Sequence, residues 1–371
     1  MLPASLTASR HLRRLLTPRI RTAAQTPGAD RYRKHFPATA HLWLLLLHGL
    51  SGSPSLRQTY AVLDAVPQLF ARLGLACGLS FSQLARSSTS RPATCFERVL
   101  VELVAHAHRT VVPDHQWRIL RKIQAIDSTF LRLSAKLSPW SVHGDFTPGT
   151  RIQCAFDIGR QIPTSLHLTL TATDDHAALR AWDREPLRGW TVLIDLGYYS
   201  HQTFAALRAG GVSFLSRLHP QAHYVVTATR TVLGTATADG DVVLRDETIT
   251  LGSRHNQMGA VLPGVRLITS RNPAGREQAV ITDRFDLTAA ELVRLYRYRW
   301  QIELFFRWLK HQLTLTHALG RSRDAVWLTV LVAAIVTLLL ALVATEKPPA
   351  ISHVAWLHVL AQTLQRLLHG G

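Results

Sequence analysis

Lysine is scarce in this chain: among 42 basic residues, only Lys34, Lys122, Lys136, Lys310 and Lys347 are not arginine. Acids are short as well, 24 against those 42, which leaves a formal charge of +18. Such an excess is the footprint of a protein that handles polyanions, although arginine enrichment can also follow genome composition. Cysteine is nearly missing. Cys77, Cys95 and Cys154 are odd in number and form no C-x-x-C pair, which argues against a disulfide framework or a structural zinc site. Buried free thiols in a reduced cytoplasm are the expected arrangement. No Ser/His/Asp pattern of the covalent-nucleophile kind stands out, and neither internal repeats nor long low-complexity stretches occur.

What is present is ample apolar material, 47% of 371 residues, enough for two or three domains. Residues 1–29 hold no acid but carry Arg10, Arg13, Arg14, Arg19 and Arg21. They resemble a transit peptide, and a basic arm that touches DNA or a loose terminus fits equally. Val326–Ala344 is apolar except for Thr329 and Thr337. Its length suits a membrane span, and a helix apolar all round also suits the centre of a large soluble core. The core reading is preferred, and no membrane partner is expected.

Residues 30–115 read as short helices broken by Ser/Thr/Pro turns: His41–Leu50, Ser55–Leu63, Phe81–Ala85, then Phe96–His106 after Ser87–Pro92. With Arg57, Arg86, Arg91 and Arg98 among them, they resemble a helical DNA-binding module, though any small bundle has this periodicity. From Arg121 the pattern changes. Lys122–Asp127, Ile152–Ile158, Leu166–Thr173, Thr191–Asp195 and Val212–Leu218 read as strands, with helices at His176–Trp182 and Ser200–Arg208. Alternation of this kind predicts an α/β sheet over 116–218 and 283–345. Between them, 219–282 shows only β and turn signals: Tyr224–Ala228, Asp241–Leu244, Thr248–Leu251, Val265–Thr269 and Gln278–Thr282, with Asp239-Gly240 as a hairpin turn. Residues 346–371 hold an amphipathic stretch, Val354–Leu368, suited to dimerisation or to the core.

The most informative segment is Tyr296–Lys310. Thr288 and Glu291 form a capping box ahead of it. Tyr296, Arg299, Glu303 and Lys310 stand at offsets that, at roughly 100° per helical residue, fall within a sector of about 60°. One carboxylate would then lie beside two cations and a phenol, a set suited to holding a metal while gripping phosphate. Leu304, Phe305, Trp308 and Leu309 supply a separate apolar face.

This spacing, Tyr-(2)-Arg-(3)-Glu-(6)-Lys, resembles the signature of the DDE transposases of the insertion-sequence-four family. Around Asp127, "Ile-Asp-Ser-Thr" looks like the family's first acid, and "Asp-x-Gly-Tyr" at Asp195–Tyr198 like its second. Phe214–Arg217 resembles the strand that follows. The resemblance implies a ribonuclease-H-like catalytic domain with an all-β insertion, preceded by the α-helical DNA-binding region. It implies Asp127, Asp195 and Glu303 as catalytic residues holding two Mg²⁺ or Mn²⁺ ions, with Tyr296, Arg299, Lys310, Arg217 and Arg151 on DNA. Double-stranded DNA, as terminal inverted repeats and as target, would be the partner. A homodimer would perform cut-and-paste transposition in the cytoplasm, at the nucleoid. Such ions can make a water or 3′-hydroxyl more acidic and stabilise the departing oxygen.

Without the resemblance, an Asp after a strand is more often a turn or helix cap. Many relatives carry a lysine ahead of the third strand, where this chain reads His143–Arg151, and arginine is not its equivalent. Asp145, Asp157, Asp174 and Asp175 compete as ligands, and Tyr198, Tyr199 and Trp300 could stack on a displaced base. An inactive DNA-binding descendant and a membrane protein built on Val326–Ala344 stay open as rival readings.

Overall fold

A computed structural model of the chain describes residues 4–344 apart from 32–34, 52, 54, 66–69, 72, 74, 76–77, 112–121, 137, 143, 146, 171–178, 180–186, 233–235, 253–260, 316–318 and 321. The expected His176–Trp182 helix, Asp174, Asp175 and the Val354–Leu368 stretch fall outside the described residues.

Among the described residues nine strands form one sheet. They are β1 (Ile123–Arg132), β2 (Gly149–Asp157), β3 (Ile162–Leu170), β4 (Thr191–Ile194), β5 (Ser213–Arg217), β6 (Tyr224–Arg230), β7 (Val242–Leu251), β8 (Leu262–Arg271) and β9 (Glu277–Thr282), in the order β3-β2-β1-β4-β5-β9-β8-β7-β6. Pairing is parallel at β1–β4 and β4–β5 and antiparallel elsewhere. β4 reads Thr-Val-Leu-Ile and is buried throughout, as a central parallel strand must be.

The strands of 219–282 join this sheet through the β5–β9 ladder and do not stand apart from it. Two strands expected at Asp241–Leu244 and Thr248–Leu251 are one, β7. The charged step Arg245-Asp246-Glu247 can stay in the ladder because Asp246 is met by Arg266 at 2.7 Å and by Arg230 at 3.3 Å. A buried carboxylate is tolerable when so paired.

The helices are α1 (Ala4–Ala24), α2 (Ala38–Ser51), α3 (Leu56–Ala65), α4 (Phe81–Ser90), α5 (Thr94–Thr110), α6 (His201–Ala209), α7 (Ala289–Arg297), α8 (Trp300–Leu315) and α9 (Arg323–Ala344). Much of the expected loose N-terminal arm is therefore helix, held down by buried Leu15, Leu16, Ile20 and Ala23. The expected turn at Ser87–Ser90 is helical too. Its hydroxyls bond back to carbonyls three or four residues earlier, Ser88 to Leu84 at 3.0 Å and Ser90 to Arg86 at 2.6 Å, and the helix stops before Pro92.

α9 is the hub. Helices α1, α2, α4, α5 and α8 and strand β3 all pack on it. Among the described residues it is the one helix long and apolar enough to cross a membrane, and 83% of that window is buried inside the protein. Gly49 lets α2 lie close, since a Cβ there would sit 2.9 Å from both Val332 and Val336. Among the described residues one core cluster consequently runs from Leu15 to Leu342 and takes in both Ala107 and Ile123. It covers one face of the sheet through Ala125, Cys154, Leu193 and Leu215. The other face, with Ile126, Val192, Ile194 and Phe214, packs on Phe204 and Leu207 of α6.

Candidate active site

Asp127 lies mid-strand, not at a strand end. Ser128–Arg132 continues β1 because it pairs residue by residue with Gly149–Gln153 of β2. β4 does stop at Ile194, and Asp195 caps the 3₁₀ turn Leu196–Tyr198 by accepting from Gly197 N–H at 2.9 Å. The parallel ladder pairs Ala125 with Leu193, so two residues further on Asp127 comes level with Asp195. In the next strand Ile194 pairs with Ser216, which brings Arg217 level with Asp195. Asp127, Asp195 and Arg217 thus form a row across three adjacent strands, about 5 Å from one strand to the next and on one face.

The signature segment is not one helix. α7 begins with the full capping box, Glu291 N–H to Thr288 Oγ1 at 3.2 Å and Thr288 N–H to Glu291 Oε2 at 2.7 Å, and ends at Arg297. Tyr298 and Arg299 form a tight turn with three-residue backbone bonds, Arg299 N–H to Tyr296 C=O and Ile302 N–H to Arg299 C=O, before α8 starts at Trp300. The four residues still converge in part, for a tertiary reason. Arg299 reaches across to Asp127 Oδ2 at 3.4 Å and along α8 to Glu303 Oε1 at 2.5 Å. Tyr296 points its hydroxyl at Ile194 C=O, 3.5 Å away, one residue before Asp195.

Electrostatics support a single cluster. Burial first, then the charge of Asp195 and, more weakly, of Glu303, push Asp127 up to about 7, against the N–H of Ser128 and the charge of Arg299. Burial raises Tyr296 as well, with Arg299 and Arg217 opposing. Arg299 is the only cation touching both acids among the described ion pairs, and it lies between Asp127 and Glu303. In this arrangement no three His, Cys, Asp or Glu side chains among the described residues are grouped closely enough to hold an ion. Two of the expected acids stand level, and the third is joined to Asp127 through the Arg299 guanidinium.

Other expected residues scatter. Lys310 is exposed on α8, two turns beyond Glu303. Arg151 pairs with Phe130 and bonds Ser128 Oγ at 3.2 Å, which puts it on the sheet face opposite Asp127. Tyr198 and Tyr199 are buried, so of the three aromatics only Trp300, 51% exposed, is available for stacking. Asp157 is fully buried between Arg160 at 3.0 Å and His108 at 3.4 Å, a structural tie to α5. Asp145 is exposed in a turn. The cleft of about 270 Å³ beside α8, lined by Phe156, Leu304, Phe305 and Trp308, contains none of the acids. Leu304 is also 46% exposed, because the buried face of α8 is Ile302, Phe305, Phe306 and Leu309.

One contact escaped the sequence reading. Buried Asp241, next to Gly240 in the turn, accepts on its carboxylate from Arg297 at 3.0 Å and from Thr237 Oγ1 at 3.3 Å and donates its own N–H to Thr237 Oγ1 at 3.0 Å, while Asp239 faces Arg294 at 3.6 Å. The turn signal was legible in Asp239-Gly240; its partner on α7 was not. The ion pairs latch the β7 end of the sheet to the helix that carries Tyr296.

Comparison with known proteins identifies the family. The chain is 26% identical over 261 residues to a chain named as a transposase, y4zB, of Sinorhizobium fredii, covering 70% of each. It is 20% identical over 248 residues to one named as the transposase of insertion sequence element IS5377 of Geobacillus stearothermophilus, covering 67% of this chain and 63% of that one. A solved piggyBac transposase, in a synaptic complex with hairpin DNA, aligns at 9% identity and TM-score 0.41 over 75% of this chain and 57% of its own. The model of the transposase DDE domain family matches residues 119–339, the span that carries Asp127, Asp195, Arg299 and Glu303, and the chain belongs to that family.

Proposed function

We propose that this transposase cuts DNA strands at the terminal inverted repeats of a mobile element and transfers them to target DNA, in the cut-and-paste manner of the insertion-sequence-four family. The observation that carries the reading is the row of Asp127, Asp195 and Arg217, with Arg299 joining Asp127 to Glu303 on the same face. Strands β3-β2-β1-β4-β5, antiparallel then parallel and covered on both faces, support a ribonuclease-H-like catalytic unit, with β6–β9 as its β insertion. Helices α1–α5, rich in exposed arginine, are the proposed DNA-binding region.

The donor set fits divalent ions. Three carboxylates are hard oxygen ligands, and a bound cation would offset the burial and the neighbouring acid charges that raise Asp127. Two Mg²⁺ or Mn²⁺ ions held by Asp127, Asp195 and Glu303 would supply a more acidic attacking hydroxyl and a stabilised leaving oxygen. The residues themselves bind and orient. Arg299 neutralises Asp127 and Glu303 until the ions take that role, and its planar fork is then matched to a DNA phosphate. Tyr296 and Arg217, beside Asp195, grip the strand near the cut, and Lys310 grips it further along. Arg151, on the far face, acts on DNA away from the cut or through Ser128. A homodimer holding paired ends, working on cytoplasmic, nucleoid-associated DNA, completes the reading.

The test is Glu303→Gln, with a duplex carrying the inverted repeat that flanks the coding sequence. Cleavage with Mg²⁺ is expected to vanish while DNA binding stays within a few-fold of the parent. Normal cutting by Glu303→Gln would show that the acids are wrongly assigned.

A further inference from the structure

Between β4 and β1 the ladder that sets the two aspartates level ends at Leu193 and Ala125, two residues short of the acids. Something else must hold Asp195 in place. Three residues beyond it, Tyr198 closes the 3₁₀ turn, fully buried, and donates its hydroxyl to Gln153 Oε1 at 2.8 Å. Gln153 is 1% exposed and pairs with Ser128, next to Asp127. In the sheet order β2-β1-β4, this bond spans the whole width of β1 from its far face.

The Tyr198 ring packs in an apolar layer with Ile126, Ile194 and Phe214, and that packing does not call for its hydroxyl or for the Gln153 amide. Phenylalanine and leucine would fill the same volume without polar atoms to satisfy, and such paired replacements are often neutral for stability. What the bond adds is direction, since it fixes the turn whose cap is Asp195 against the strand beside Asp127.

We propose that Gln153 and Tyr198 are a positioning pair, a strut that holds Asp195 level with Asp127 so that the two can share a divalent ion. This deepens the proposed function and rests on it. The strut touches no substrate and acts only through the backbone of residues 195–198.

The experiment is Mn²⁺ titration of the full chain, without DNA, read by electron paramagnetic resonance alongside thermal melting. Tyr198→Phe is expected to weaken Mn²⁺ binding by about tenfold, the scale typical of groups that orient metal ligands. The double variant Gln153→Leu with Tyr198→Phe is expected to melt close to the parent and still to bind Mn²⁺ weakly. Parental Mn²⁺ affinity in the double variant would overturn the strut, and so would recovery of affinity together with stability. Asp195→Asn separates the two levels of the argument. If it loses Mn²⁺ while Tyr198→Phe does not, only the strut is wrong. If parent and Asp195→Asn bind Mn²⁺ equally, or neither binds it, the ion site itself is wrong and the strut falls with it.

Discussion

The two ends of the sheet are built to different rules. The β3-β2-β1-β4-β5 end is packed on both faces, its central strand β4 is wholly buried, and it carries Asp127 and Asp195. The β9-β8-β7-β6 end is antiparallel throughout and finishes in β6, exposed along nearly its whole length, with Val225 at 65%. A bulge after Val226 interrupts that open edge, a common protection against unwanted pairing. Packing at one end buries Asp127 near other acids and raises its pKa. The other end holds its charges in satisfied pairs, Asp246 with Arg266 and Asp241 with Arg297, and uses them to grip α7.

The contrast can be broken most forcefully at Asp127. Its raised pKa means the folded protein binds this proton more tightly than the unfolded chain. The neutral form therefore favours folding, and that contribution is lost as pH rises from about 4, through the folded value of about 7. A shift of that size corresponds to at most about 4 kcal/mol. In chelator at pH 8, Asp127→Asn is expected to be more stable than the parent by about 2 kcal/mol, with a flatter pH profile, as read by urea denaturation. A parent whose stability climbs steadily from pH 4 to 8, with the variant below it throughout, would refute the crowded-acid picture. At the other end the sign reverses. Asp241→Asn removes a satisfied charge and is expected to cost about 1–2 kcal/mol by the same denaturation, with protection of α7 amides falling in hydrogen exchange. No loss there would mean that the latch holds nothing. The smallest effect belongs to β6: Val225→Lys should stay within about 0.5 kcal/mol of the parent in melting experiments. A cost of several times that would mean the strand is covered in solution.

Local chemistry is what could be read from the chain beforehand. The capping box at Thr288, the Asp239-Gly240 turn and the four-residue apolar strand before Asp195 each follow from neighbouring residues. Long-range effects were hidden. The sequence around Ser128–Arg132 offers no strong strand signal of its own, and β1 runs on only because β2 is there to pair with it. The turn at Tyr298-Arg299 breaks a segment whose spacing reads as continuous helix, and at that turn Arg299 meets both Asp127 and Glu303. The first helix looked like a loose basic arm since its few apolar residues find their main partners further along the chain, in α2, α5 and α9. For the candidate site, the three acids and the Tyr296–Lys310 spacing were legible as candidates only. The guanidinium between two of them, and the far-face location of Arg151, were not.

Cation-linked stability probes the shared site most directly, because ions that bind only the folded protein raise its melting temperature with concentration. Melting of the parent is expected to rise with Mg²⁺ at pH 7.5, and the rise to disappear separately in Asp127→Asn, Asp195→Asn and Glu303→Gln. An undiminished rise in Glu303→Gln would contradict it, leaving Arg299 as a permanent wall between that acid and the aspartates.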